Sequence, residues 1–349
     1  MRFCLAVSSD EKASCPPSVR RDAMLARAKR ACEAGFDDIA VTHRYSTVDQ
    51  RSVTGAGPVA RLQPIATLAY LAGALGDQVG YTTSVLLSPS LHPIQLAEDV
   101  ATLDALCAGS LNLGLGLGWV DTDFENFQIA NADRAGRFEE LVSLYRSLMT
   151  GPVDASDARY FPFPPRLMQA APARSGGPPV WIGASSPAGV RRAAHLGDAW
   201  VMSAHTSVAE LRALQETHLE ARATTSTPEP REQPVNQVVF VAESHESARR
   251  MAEPELRAWY RQRDALSRRA GGLDAVGRSS DKPSSPRWII GDPEGCAEQL
   301  INIVGALDVT YVTVVLTWLT ASERDRHRAI DLLGDEVLPI VRRERASSV

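Results

Sequence analysis

Two short stretches and one histidine hold the residue types most able to do chemistry. In Gly183-Ala184-Ser185-Ser186-Pro187, either serine can cap a helix whose first turn contains the proline. The free backbone N–H groups of such a helix start, with the helix dipole behind them, attract a phosphate. A serine before a proline can equally be a cap and nothing more. In Gly114-x-Gly116-x-Gly118-Trp119 the spacing lacks the closing G-x-x-G of a dinucleotide fingerprint, and no helix follows at once. These glycines suit the close approach of a flat ring to a strand end, or a loose turn. His43 ends an apolar run and precedes Arg44 and Tyr45. It is placed to act as a general acid or base, to pack against a ligand, or to sit as a rim histidine. His205 follows another apolar run, with weaker support. His92 before Pro93 reads as a helix start, and His195, His218, His245 and His327 as helix or surface residues.

Other chemistries find no support. No His, Asp or Glu pair has the spacing of a metal site, and no G-x-S-x-G elbow announces a serine hydrolase. The five cysteines are far apart and form no C-x-x-C, so they read as small buried hydrophobes rather than as disulfides or zinc ligands. A net charge of −5 with scattered basic residues argues against a nucleic acid or an anionic membrane as partner. No apolar run reaches the length of a membrane span, and the start MRFCLAVSSDEKASC lacks the long apolar core of a signal peptide. The expected compartment is the cytoplasm.

The elements that must position these residues alternate along the chain. Near-continuous apolar runs at Arg2–Val7, Asp38–Val41, Tyr81–Leu87, Leu111–Leu117, Val180–Ile182, Ala199–Met202, Val235–Ala242 and Tyr311–Leu316 read as strands of a parallel sheet covered on both faces. Helical patterns lie between them, at Ser18–Ala34 with Ser18 as cap, Leu62–Leu75, Ile94–Leu106, Asp133–Met149, Pro187–Leu196, Val208–Arg222, Ser247–Arg269, Asp292–Leu307 and Ser322–Arg342. Pro254 should kink the helix that contains it or mark its true start. The Pro- and Gly-rich segment 151–179 is too long for an ordinary loop and reads as an excursion over one end of the fold. The stretch 270–287 reads as a flexible lid or loop. A content of 44% hydrophobic residues in 349 gives ample material for a core, and residues 1–349 are expected to form one domain. Eight strands alternating with helices predict an α/β fold, a (β/α)₈ TIM barrel with insertions over its mouth, with a doubly wound open sheet as the competitor. A barrel gathers its chemistry at the carboxyl ends of its strands. That rule selects Ser8, His43, Ser84, Gly116–Trp119, Gly183–Ser186, Ser203–His205 and the stretch after Leu316.

Four stretches carry a resemblance through most of the chain. They are ACEAGFDDIAVTHRYS, VGYTTSVLLSPSLHPIQLAEDVATLDALCAGSLNLGLGLGWVDTDFENF, PPVWIGASSPAGVRRAAHLGDAWV and GDPEGCAEQLINIVGALDVTYVTVVL. The chain resembles the bacterial luciferase-like flavin monooxygenase and deazaflavin oxidoreductase superfamily. The resemblance implies a (β/α)₈ barrel, commonly dimeric, that binds FMN or the deazaflavin coenzyme F-420 and acts on a small organic substrate. It implies a strand-three bulge under the cofactor ring, often with a non-prolyl cis peptide, at Ser84-Val85. It places the cofactor phosphate near Gly183, Ala184, Ser185 and Ser186, sets Gly116, Gly118 and Trp119 at the cofactor's border, and turns His43 toward ring and substrate. Reduced FMN with oxygen would oxygenate the substrate, with a separate flavin reductase as a possible partner. The deazaflavin would exchange a hydride with it instead. The acidic tail of F-420 would want basic residues near the mouth, and Arg191, Arg192, Arg278, Lys282 and Arg287 are available. A flavin-binding protein without turnover is the remaining class.

Overall fold

The computed structural model describes residues 1–7, 11–12, 15–45, 59–118, 121–225, 232–269, 287–316 and 321–347. Eight parallel strands close into a ring: β1 (Arg2–Ala6), β2 (Asp38–Val41), β3 (Gly80–Thr83), β4 (Leu111–Gly116), β5 (Val180–Ala184), β6 (Ala199–Met202), β7 (Pro234–Val241) and β8 (Tyr311–Val315). β8 pairs with β1 in register from Arg2↔Tyr311 to Ala6↔Val315. The ring closes between β6 and β7 through the pair Val235↔Met202. The doubly wound alternative is thereby excluded.

Alternation along each strand builds two cores. On β1, Phe3 and Leu5 point outward into the shell between strands and helices, with Ile39, Leu113 and Val312. Cys4 and Ala6 point inward with Ala40, Trp181, Ala199, Val201 and Tyr311. The two large rings fill the barrel because the positions around them are small; they meet edge to face at 4.8 Å.

The outer layer holds α1 (Pro17–Glu33), α2 (Pro64–Leu75), α3 (Pro93–Leu106), α4 (Arg134–Leu148), α5 (Pro187–Leu196), α6 (Val208–Arg222), α7 (His245–Arg269), α8 (Pro293–Leu307), α9 (Glu323–Leu332) and α10 (Leu338–Ser347). α1 starts one residue earlier than expected: Pro17 occupies its first turn, Pro16 stands at the cap, and no side chain caps it, so Ser18 lies inside the helix. α7 runs through Pro254 without starting there. Pro254 is exposed, so water can satisfy the carbonyl that the missing N–H leaves free.

Segment 151–179 lies along the flank of α3 and α4. The Glu140 carboxylate accepts the N–H groups of Arg159, Tyr160 and Phe161 at 2.8–2.9 Å. Glu98 accepts those of Gln169 and Ala170, both at 2.8 Å. Phe161 reaches the His92 ring at 5.6 Å. A short strand not expected from the sequence, Ile289–Gly291, pairs with the second half of β7, from Val239↔Ile289 to Val241↔Gly291.

Candidate functional site

The mouth is organised by a bulge at the end of β3. Before it, Tyr81 and Thr82 pair with Leu111 and Asn112; after it, Leu86 and Leu87 pair with Leu115 and Gly116. Four steps along one strand thus face three along the other, so one extra residue is pushed out of register. The Ser84–Val85 peptide bond within it is cis. Thr83 pins the turn: its Oγ1 donates to Gly114 O at 2.9 Å and lies 2.8 Å from Gly114 N.

The glycines of the β4 motif are required by this bulge. A Cβ on Gly114 would lie 1.9 Å from Thr83 O, and one on Gly116 would lie 2.6 Å from Val85 Cγ2. A Cβ on Gly183 would stand 3.3 Å from the same methyl. The side chain of Val85 therefore rests on a seat of bare backbone from β4 and β5. The space that sequence reasoning assigned to an approaching ring is taken by the chain's own valine. Gly118 has φ +77°, and a Cβ there would meet Phe124 at 2.5 Å. Trp119 lies outside the described residues, as do Ser8 and residues 317–320.

Beneath the seat the barrel is polar. Ser84 Oγ faces Asn236 of β7, 3.3 Å from its Nδ2. Asn112 Nδ2 donates to Thr82 Oγ1 at 3.2 Å, and Thr82 Oγ1 meets the Tyr311 hydroxyl at 3.1 Å. Asn236 escaped the sequence reading. Two adjacent polar residues, Asn236 and Gln237, in the otherwise apolar run VNQVVFVA were the only signal, and nothing in the pattern told one from the other.

His43 closes one side. Its Nδ1 accepts the N–H of Leu87 at 3.0 Å, which ties the end of β2 to the strand that leaves the bulge. An Nδ1 that accepts is unprotonated, so the neutral ring carries its proton on Nε2. Burial drives the ring pKa down to about 4; Gln63 opposes the shift and Arg61 adds to it. The ring is therefore neutral at pH 7 and presents a donor. Nε2 is shut off from solvent and lacks a well-formed hydrogen bond among the described residues, although Gln63 stands close enough to favour protonation. Tyr45 packs edge-on at 4.6 Å. Beyond it Asp123 is buried, its carboxyl pushed up by burial and drawn down by Arg44, Arg61 and Arg134.

The opposite rim is built by β5 and β6, whose register sets Ala184 beside Met202. Trp200 Nε1 donates to Ala184 O at 2.9 Å and fixes the end of β5. Ser186 is the cap of α5, with its Oγ accepting Gly189 N–H at 3.2 Å. Ser185 and Ser186 are exposed at the helix start. One strand along, Arg287 enters beside Ser203 and Thr206. Of the other basic residues considered, Arg192 is paired with Glu139 at 2.7 Å, Arg191 is exposed, and Arg278 and Lys282 lie outside the described residues. His92 is structural: its side chain caps α3 by accepting Ile94 N–H at 3.3 Å. Among the described residues no group of His, Cys, Asp or Glu could hold a metal ion.

The residues present fit a phosphorylated tricyclic cofactor. Val85 offers an apolar support, His43 Nε2 an unmatched donor on one side, and the start of α5 an anion site on the other. A flavin-type cofactor would supply the redox chemistry, and the side chains would bind it, orient it and exclude water.

Comparison with known proteins agrees with this geometry. The sequence pattern of the family described as luciferase-like monooxygenase matches residues 1–309. The phthiodiolone/phenolphthiodiolone dimycocerosates ketoreductase of Mycobacterium tuberculosis is 28% identical over 144 residues, 41% of this chain and 38% of that protein. The match thus spans little more than a third of the curated relative's length. An F420-dependent secondary alcohol dehydrogenase, solved with an F420-acetone adduct, has a TM-score of 0.73 at 15% identity, covering 97% of this chain and 98% of that one. The oxygenating constituent of 3,6-diketocamphane monooxygenase from Pseudomonas putida, solved with FMN, has a TM-score of 0.69 at 16% identity with the same coverage. At these identities the two structures show the fold. Among the described residues no helix is long and apolar enough to cross a membrane.

Proposed function

The chain belongs to the luciferase-like monooxygenase family, and on that premise we propose that it is an oxidoreductase working through a flavin-type cofactor. The first reading is reduced FMN with oxygen, acting on a small organic substrate. The observation that carries it is the Val85 seat: three glycines on two strands are bare so that one side chain can stand at the centre of the mouth. Tied to the same bulge through the Leu87 N–H, His43 carries its proton on Nε2 and stays neutral across the physiological range. It can hold a hydrogen bond to a carbonyl or developing oxyanion without first giving up a proton. Ser185, Ser186 and the start of α5 would take the cofactor phosphate. A reductase supplying FMN in its reduced form would be the partner in this reading, and the chain would pair as a homodimer.

The second reading is hydride exchange with coenzyme F-420. The neutral donor at His43 favours it, because carbonyl reduction needs a hydrogen bond to the substrate oxygen as charge develops there. The ketoreductase relative points the same way. A side-by-side titration with reduced FMN and reduced F-420 separates the two. Submicromolar binding of one, with at least tenfold weaker binding of the other, assigns the cofactor. Tight binding of NAD with neither flavin would refute both. Turnover on a substrate panel then distinguishes an enzyme from a flavin carrier.

A further inference from the structure

Arg287 is a charged group at the mouth that entered above only as one of several basic residues available to an acidic cofactor tail. It precedes the extra strand beside β7 and reaches across to the loop after β6. Its Nη2 donates to Ser203 O and its Nε to Thr206 O, both at 3.1 Å. Its Nη1 is shut off from solvent with no hydrogen-bond partner among the described residues, while the residue as a whole keeps a partly exposed edge. Carbonyl oxygens fix the orientation of a guanidinium but do not neutralise it. Burial lowers its pKa to about 10, and no carboxylate among the described residues offsets that shift. The group is still a cation at pH 7, and a desolvated cation with no counter-charge is costly to keep.

Its place gives the missing charge an address. Ala184↔Met202 in register sets the Ser185–Ser186 corner and the Ser203–Thr206 loop side by side on the rim. Neighbouring strands are about 5 Å apart, so the two lie within the span of one ligand. His205 lies on the same loop, and burial first and Arg287 second lower its pKa.

We propose that Arg287 is an oxyanion subsite on the β6–β7 side of the mouth, taking a phosphate or carboxylate group carried by the cofactor or by the substrate. This rests on reading the mouth as a cofactor site, but its test does not. Inorganic phosphate should raise the melting temperature of the wild-type chain above sodium chloride at matched ionic strength. Arg287→Gln should abolish that difference, and Arg287→Lys should keep part of it, because the charge remains while the planar fork is lost. If Arg287→Gln fails to fold, the lysine variant carries the comparison. Affinities for FMN against riboflavin, and for F-420 against its tail-less deazaflavin nucleoside, then name the source. A tenfold loss confined to the phosphate-bearing member of a pair assigns the anion to the cofactor. Unchanged cofactor affinity with lost phosphate stabilisation assigns it to the substrate. The same phosphate response in wild type and Arg287→Gln, or none in either, together with unchanged cofactor affinities, overturns the subsite. Failure of both flavins to bind would sink the cofactor reading and leave the phosphate measurement standing alone.

Discussion

The two ends of the barrel treat charge differently. At the amino ends of the strands, the carboxylates are matched. Asp38 is fully buried and takes both its bonds from one Arg2 nitrogen, at 2.9 and 2.7 Å. Asp37 accepts Phe3 N–H at 2.7 Å and Arg342 at 2.8 Å; Asp198 accepts Val180 N–H at 2.7 Å and Arg146 at 2.9 Å. Asp104 holds both the backbone and the side chain of Arg174. At the carboxyl ends, His43 Nε2, Asp123 Oδ1 and Arg287 Nη1 are buried and lack hydrogen bonds among the described residues. Buried polar atoms are normally satisfied. The amino end has exceptions too, at the Tyr145 hydroxyl and Arg174 Nε, but the four carboxylates named there are paired, whereas Asp123 at the mouth keeps an oxygen without a hydrogen bond among the described residues.

Substitutions can break that contrast or sharpen it. The largest effect is expected from Gly114→Ala, whose Cβ would meet a backbone oxygen that cannot step aside. We expect a loss of about 3 kcal/mol or more in chemical denaturation, and a loss under about 1 kcal/mol would mean the bulge yields easily. Next is the pH dependence of the amino end. Burial raises the Asp38 carboxyl from 3.8 to about 6, against the pull of Arg2. A carboxyl that binds protons better when folded stabilises the fold in acid, and this contribution fades as pH rises from about 4 to about 6. The wild type should therefore lose about 2 kcal/mol across that window relative to Asp38→Asn. Parallel pH profiles for the two proteins would place the proton elsewhere. At the mouth, Ser185→Ala with Ser186→Ala should weaken cofactor binding by roughly 1–3 kcal/mol, of which the lost cap of α5 contributes through helix stability. Unchanged affinity by titration would move the phosphate away from this corner. Last is His43→Ala, which leaves the Leu87 N–H without its partner: a loss of about 1–2 kcal/mol in stability, accompanied by a fall in turnover of about tenfold or more. Full activity in that variant would make His43 a wall residue.

The barrel was legible because its strands are buried on both faces, and runs such as Leu111–Gly116 are apolar almost without a break. Ile289–Gly291 was not, since three residues beside a long loop carry no periodicity. The mouth was legible in part. The serine corner follows from a local motif, and Ser186 does cap its helix; the strand-three bulge was expected from the family resemblance alone. The purpose of Gly114 and Gly116 was hidden, because what needs their bareness, Thr83 O for the first and the Val85 side chain for the second, lies on the neighbouring strand and in the bulge after it, which no pattern of apolar residues encodes. Asn236 and Arg287 gain meaning only when β7 is set opposite β3 and next to β6. Residues 46–58 and 270–286, the latter read from the sequence as a lid or loop, lie outside the described residues.

The ring is joined between β6 and β7 by one registered pair, Val235↔Met202, where β8 and β1 share five. Arg287 crosses that same gap, from the strand flanking β7 to the carbonyls beyond β6. Deuterium uptake should therefore be faster at Met202 and Val235 than on the strands to either side. An anion clamped to the guanidinium would slow it, because it would tie the two sides of the seam together.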